Sequence, residues 1–148
     1  MKIFIDTNIL ISAILKPDSI PHKAFVKAVS APNQAFICQQ NVEELERIFK
    51  KKFPQKLFAL QKFFDNAIPK LKIIPTAEIE VISEKNIRDV KDRPILRSAL
   101  FIKADILLTG DKDFLESKIE NPKILSAKDF VENCIKKKLK PTTGSMSK

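Results

Sequence analysis

Short apolar runs alternate along this chain with longer stretches whose apolar residues recur at helical spacing. Ile3, Phe4 and Ile5 form a β-favouring run that ends at Asp6, and Thr7 and Asn8 follow as residues typical of helix caps. Ile9, Leu10, Ala13 and Ile14 then resume at helical spacing, so the stretch reads as a buried strand turning sharply into a helix. Pro17-Asp18-Ser19 marks a loop, a short helix is expected over His22–Val29, and Ala31-Pro32-Asn33 separates it from a second buried strand, Ala35–Cys38. Two helices come next: Asn41–Lys51, with Val42, Leu45, Ile48 and Phe49 facing inward, and a second running from Leu57 towards Pro69. Leu71–Ile74 and Ile79–Ile82 are two short β-like runs, and the pattern does not decide which of them joins the main sheet. Asp92 opens a helix with Pro94 in its first turn, Ile106–Thr109 is a central strand leading into Gly110-Asp111-Lys112-Asp113, and Lys123–Leu125 is a last short strand. Ser126 with Asp129 predicts a capping box opening a terminal helix that runs through Lys138.

This succession predicts an α/β layer architecture with one substantial core, which suits a chain of 148 residues. We expect one domain over 1–140 and a flexible tail over 141–148. Composition narrows the chemistry. Two glycines leave no room for a glycine-rich phosphate loop, and a single histidine, His22, excludes a histidine-based triad or zinc site. Cys38 and Cys134 lie far apart in apolar segments, as expected of free thiols in a reducing compartment. No signal peptide or membrane span is legible, so a cytoplasmic protein without membrane contact is expected.

The formal charge of +9 favours a polyanionic partner. Five lysines and no acids lie between Lys136 and Lys148, leaving the first 135 residues only mildly basic at +4. Lys136, Lys137, Lys138 and Lys140 are therefore candidates for contacts with the phosphates of a nucleic acid, or else a solvated tail that complements a helix dipole.

The acids are placed more tellingly. Asp6 ends the first strand, Asp92 begins a helix, and Asp111 and Asp113 follow the strand at 106–109. Taken singly, each is an ordinary cap or a solvated charge. Converging at one edge of a parallel sheet, they would repel one another unless a hard cation neutralised them, and oxygen ligands suit such a cation. A fourth acid could come from the helix at 41–51. There Glu43 projects away from the apolar stripe, and Glu44 and Glu46 flank it.

The run FIDTNILISAIL, the pair Glu44-Leu45, and the segments RDVKDRPILRSAL and ADILLTGDKDFL resemble the acidic motifs of PIN-domain proteins, and more narrowly those of VapC-like toxins of prokaryotic toxin–antitoxin pairs. The resemblance extends to about Leu125, with the motifs in the family's order. It implies a PIN-like three-layer α/β/α sandwich with a central, mostly parallel sheet. It places the family's four acids on Asp6, Glu44, Asp92 and Asp111, with Asp113 as a supporting ligand and Asp89 and Glu43 ranked below their neighbours. It further implies a ribonuclease that uses Mg²⁺ or Mn²⁺ to polarise the scissile phosphate and activate water, with Asn8 orienting Asp6 and Thr109 the strand end. RNA, a cognate antitoxin and a second copy of the chain are the partners it implies. The chain departs from the family at Gln39-Gln40, where a serine or threonine is frequent. Two alternatives stand beside this reading. One is a PIN-like protein that only binds RNA or a partner; the other is an aspartyl phosphatase using Asp6, for which the acid expected at position 8 is replaced by Asn8.

Overall fold

The computed structural model describes residues 1–132. Five strands form one sheet: β1 (Lys2–Ile5), β2 (Gln34–Cys38), β3 (Leu71–Ile74), β4 (Ile106–Leu108) and β5 (Lys123–Leu125). Their order is β3-β2-β1-β4-β5, and every neighbouring pair is parallel. Parallel strands need crossovers, and the helices supply them. Helices α1 (Thr7–Leu15) and α2 (Ile20–Val29) connect β1 to β2, and α3 (Gln39–Lys52) and α4 (Leu57–Ala67) connect β2 to β3. Helix α5 (Arg93–Phe101) precedes β4, and the short α6 (Lys112–Leu115) follows it.

Side chains alternate across a strand, and this alternation divides the core in two. Ile3, Ile5, Ala35, Ile37, Ile106 and Leu108 face one layer, where α1 to α4 and Phe130 cover them. Phe4, Phe36, Cys38 and Leu107 face the other, under Ile87, α5 residues Ile95, Leu96 and Ala99, and Phe114. Both faces of β1 and β4 are thus buried, which accounts for their continuous apolar runs. The result is the expected three-layer α/β/α arrangement.

Of the two β-like runs after α4, Leu71–Ile74 is the strand. Ile79 and Ile82 are 85% and 89% exposed, and Ile82 begins a 3₁₀ turn, Ile82–Asn86. With β3 already on the sheet edge, this second run lies outside the sheet and buries neither isoleucine. Residues 127–132 are helical, with Asp129 N–H donating to Ser126 Oγ at 3.1 Å, as the capping pattern predicts. Lys136, Lys137, Lys138, Lys140, Cys134 and the tail at 141–148 lie outside the described residues.

Candidate metal centre

Because the strands are parallel, the carboxyl ends of β2, β1 and β4 finish on one edge of the sheet. The register pairs Ile5 with Leu108, so Asp6 and Thr109 leave the sheet side by side. Asp6 N–H donates to Leu108 O at 2.9 Å, which fixes the backbone at that exit. The Asp6 carboxylate is buried and doubly held: Oδ1 accepts from Thr7 N–H at 2.8 Å, and Oδ2 accepts from Thr109 Oγ1 at 2.7 Å. Asp6 therefore does cap α1, with one of its two oxygens.

Thr109 works in both directions, since its hydroxyl also accepts from Asp111 N–H at 3.0 Å. Asn8 stitches the same two turns together. Its Oδ1 accepts from Gly110 N–H at 3.0 Å, and its Nδ2 approaches Asp6 Oδ2 at 3.5 Å. Asn8 thus touches Asp6 as expected, and Thr109, expected only to order the strand end, touches it too.

Glu44 is placed by a chain of side chains that the sequence did not announce. Cys38 N–H donates to Asn41 Oδ1 at 2.8 Å, Asn41 Nδ2 donates to Thr7 Oγ1 at 2.9 Å, and Thr7 Oγ1 donates to Glu44 Oε1 at 2.6 Å. Asn41 is fully buried and Thr7 nearly so. The available sign of Asn41 was its position, an amide three residues past the strand end, where it closes a capping box. Glu43 and Glu46 are exposed, so Glu44 alone of the three acids on this helix turns inward.

Asp92 ends the 3₁₀ turn Val90–Asp92 with helical backbone angles and makes no capping hydrogen bond. Asp89 takes that duty, its Oδ1 accepting from Lys91 N–H at 3.0 Å, which leaves the Asp92 carboxylate free of the backbone and in contact with Asp111. Asp111 caps α6, accepting from Asp113 N–H at 2.9 Å through Oδ1. Carboxylate oxygens of Asp92, Asp111 and Asp113 lie within 4.8 Å of one another. Asp6 and Glu44 stand outside that trio, and Asp113, expected only as a supporting group, stands within it.

The acids nevertheless feel one another. Burial, and next to it the charges of Asp6 and Asp111, raise Asp92 from 3.8 to about 7. Burial raises Asp6 to about 6 against the hydrogen bonds from Thr109 and Thr7, with Glu44 and Asp111 adding to the rise. Only one cation, Arg88, forms a salt bridge with these acids among the described residues; its Nη2 lies 2.8 Å from Asp113 Oδ1. An all-oxygen donor set with so little protein countercharge fits a hard divalent ion.

A PIN domain family model matches residues 2–113, which takes in Asp6, Glu44, Asp92, Asp111 and Asp113. The chain belongs to the PIN-domain family. It is similar to the uncharacterised protein MJ1680 of Methanocaldococcus jannaschii, with 29% identity over 147 residues covering 89% of this chain and 90% of that protein. Its fold is also that of a chain in the crystal structure of VapBC2 from Rickettsia felis bound to a DNA fragment from their promoter. That likeness has a TM-score of 0.64 at 21% identity and covers 85% of this PIN-domain chain and 98% of the other.

Proposed function

We propose that this PIN-domain protein is a Mg²⁺- or Mn²⁺-dependent endoribonuclease and the toxin of a cytoplasmic toxin–antitoxin pair. The observation that carries the proposal is the gathering of Asp92, Asp111 and Asp113 beside buried Asp6 at one edge of a PIN-domain sheet. Asp92, Asp111 and Asp113, with Asp6 and Glu44 flanking them, are the residues that would hold the ion. Bound there, a divalent cation supplies charge to polarise a scissile phosphate and to lower the pKa of an attacking water.

The chain's own residues prepare that chemistry. Thr109 and Thr7 N–H fix both oxygens of Asp6, and Thr7 Oγ1 fixes one oxygen of Glu44. Side chains held in this way need little reordering when a ligand arrives. Asn8, standing where an aspartyl phosphatase needs its general acid and donating no proton of that kind, weighs against that alternative.

An antitoxin partner is supported by a separate feature. A groove of about 420 Å³ between α1, α2 and α4 is floored by apolar residues such as Phe25, Val29 and Phe63. Lys62 and Lys70 line it and no acid does, which suits an amphipathic, acidic segment. The fold it shares with a chain of the VapBC2 structure points the same way.

The test is cleavage of single-stranded RNA by protein stripped with EDTA and then supplied with Mg²⁺ or Mn²⁺. Cleavage that returns with the metal is the expected result. RNA binding without cleavage under any metal condition would instead favour the non-catalytic alternative.

A further inference from the structure

The chain has four arginines, and three of them lie between β3 and the end of α5. Two of those three are committed to the fold. Arg97 pairs with buried Glu84 through two contacts of 2.7 Å, and Arg93 Nε donates to Ile87 O at 3.0 Å. Arg88 differs. Its side chain is 87% exposed, yet its guanidinium sits 2.8 Å from Asp113 in the acid trio.

The backbone that presents Arg88 is fixed on both sides. Ile87 is fully buried in the core beneath α5, and its carbonyl is held by Arg93. Asp89, on the other side, caps the turn that leads to Asp92. An exposed, entropy-rich side chain is thus carried on a rigid base and tethered at the edge of the acid cluster by one nitrogen. A guanidinium has five N–H donors, and the remaining ones face open solvent at that edge.

We infer that Arg88 is a substrate-contact residue that binds a non-bridging oxygen of an RNA phosphate beside the acid cluster, with Asp113 holding its guanidinium in position beforehand. The inference rests on the nuclease reading for its substrate class. A planar fork of donors matches a phosphate in shape and charge, and a carboxylate on one of its corners aims it without using it up. Arg88 also supplies positive charge where the neighbouring acids would otherwise repel a polyanion.

The experiment compares wild type, R88A, R88K and D113N by anisotropy of a labelled single-stranded RNA in EDTA over a salt series, and by steady-state cleavage with Mg²⁺ or Mn²⁺. R88A should weaken RNA binding about tenfold, as for loss of a charge-assisted hydrogen bond. Its slope of log affinity against log salt should shrink by about 0.7, the value for one phosphate contact on a single strand. In cleavage, KM should rise with little change in kcat. R88K should recover the slope, because the point charge is kept, but only part of the affinity. D113N removes the hold on Arg88 but keeps its charge, so in EDTA it should retain the wild-type salt slope that R88A loses. An unchanged slope and affinity in R88A would overturn the inference, and so would a D113N slope reduced as far as that of R88A. If wild type cleaves no RNA with either metal while the binding differences persist, the nuclease reading fails and the phosphate contact of Arg88 stands.

Discussion

At the scale of single residues, the site depends on hydroxyl and amide groups that hold acids in place. Thr109 is fully buried, donates to Asp6 and accepts from Asp111 N–H, so it links two of the acids through one oxygen. Thr109→Val keeps the shape and removes both contacts. It should cost about 1–2 kcal/mol of stability, because a buried carboxylate and an N–H each lose a partner. Metal-dependent cleavage should fall about 10- to 100-fold, the usual range for a group that orients a ligand. Urea unfolding and initial rates on the same preparation check both figures. The raised acids give a second prediction. Asp92 is raised from 3.8 to about 7, so the folded, metal-free protein binds a proton that the unfolded chain has already lost. Between those values stability should therefore increase as pH falls and decrease as pH rises. Asp92→Asn should remove the part of this dependence above about pH 6, leaving the part that Asp6 adds below it, and stabilise the metal-free protein at pH 8 by about 1 kcal/mol, allowing for solvent screening of a half-exposed group. Melting temperatures in EDTA from pH 4.5 to 8 provide the check. Asp6 and Asp111 were legible in the sequence because each ends a strand run, whereas Thr7 and Asn41 were not. Their partners lie 37 and 34 residues away, and local pattern carries no information about such contacts.

At the scale of elements, the connection from β3 to α5 decides where Asp92 and Arg88 sit. It is short of regular structure, and the buried pair of Glu84 and Arg97 anchors it. The hydrogen bond from Arg97, helped by the Val81 N–H and the charge of Arg97, lowers Glu84 from 4.5 to about 2 against the opposing effect of burial. A depressed acid contributes stability that is present above its unfolded pKa and lost as pH falls through the folded one. Arg97→Leu should thus cost about 3 kcal/mol at pH 7, since it leaves a carboxylate buried without its cation. The gap from wild type should narrow as pH drops from 4.5 towards 2, read from urea midpoints along that range. This connection is also where the sequence was least informative. Ile79 and Ile82 suggested a strand, but alternating apolar residues specify a strand only where a partner edge and a covering layer exist. Four of the strands were readable because helices whose apolar faces repeat at a different period flank them, whereas β3 was one of two runs between which the pattern did not decide. Two helix starts came two residues earlier than expected, at Ile20 and Gln39, as capping residues outside the apolar stripe allow.

At the scale of the whole molecule, no helix among the described residues is long and apolar enough to cross a membrane. The surface does carry large apolar side chains. Of Phe53, Phe58, Phe63 and Phe64, three pack against the core from its margin, and Phe58 is 76% exposed. The phenylalanine-rich stretch is therefore mostly core, with Phe58 left over beside exposed Leu57. A homodimer, proposed from the family resemblance, should appear as a concentration-dependent mass in light scattering. Phe58→Ser lowering the dimer fraction would place α4 in the contact; a monomer mass at every concentration would exclude self-association.

The most direct measurement is single-turnover cleavage of single-stranded RNA by Asp111→Asn beside wild type, with the melting temperature of each recorded in EDTA. Asp111 belongs to the acid trio and also raises both Asp6 and Asp92, so removing its charge acts on the whole cluster. Loss of Mg²⁺- or Mn²⁺-dependent cleavage, in a variant that melts at or above the wild-type temperature, is the predicted result. A variant that cleaves RNA at the wild-type rate once the metal is restored would contradict the assignment of this cluster as the catalytic metal site.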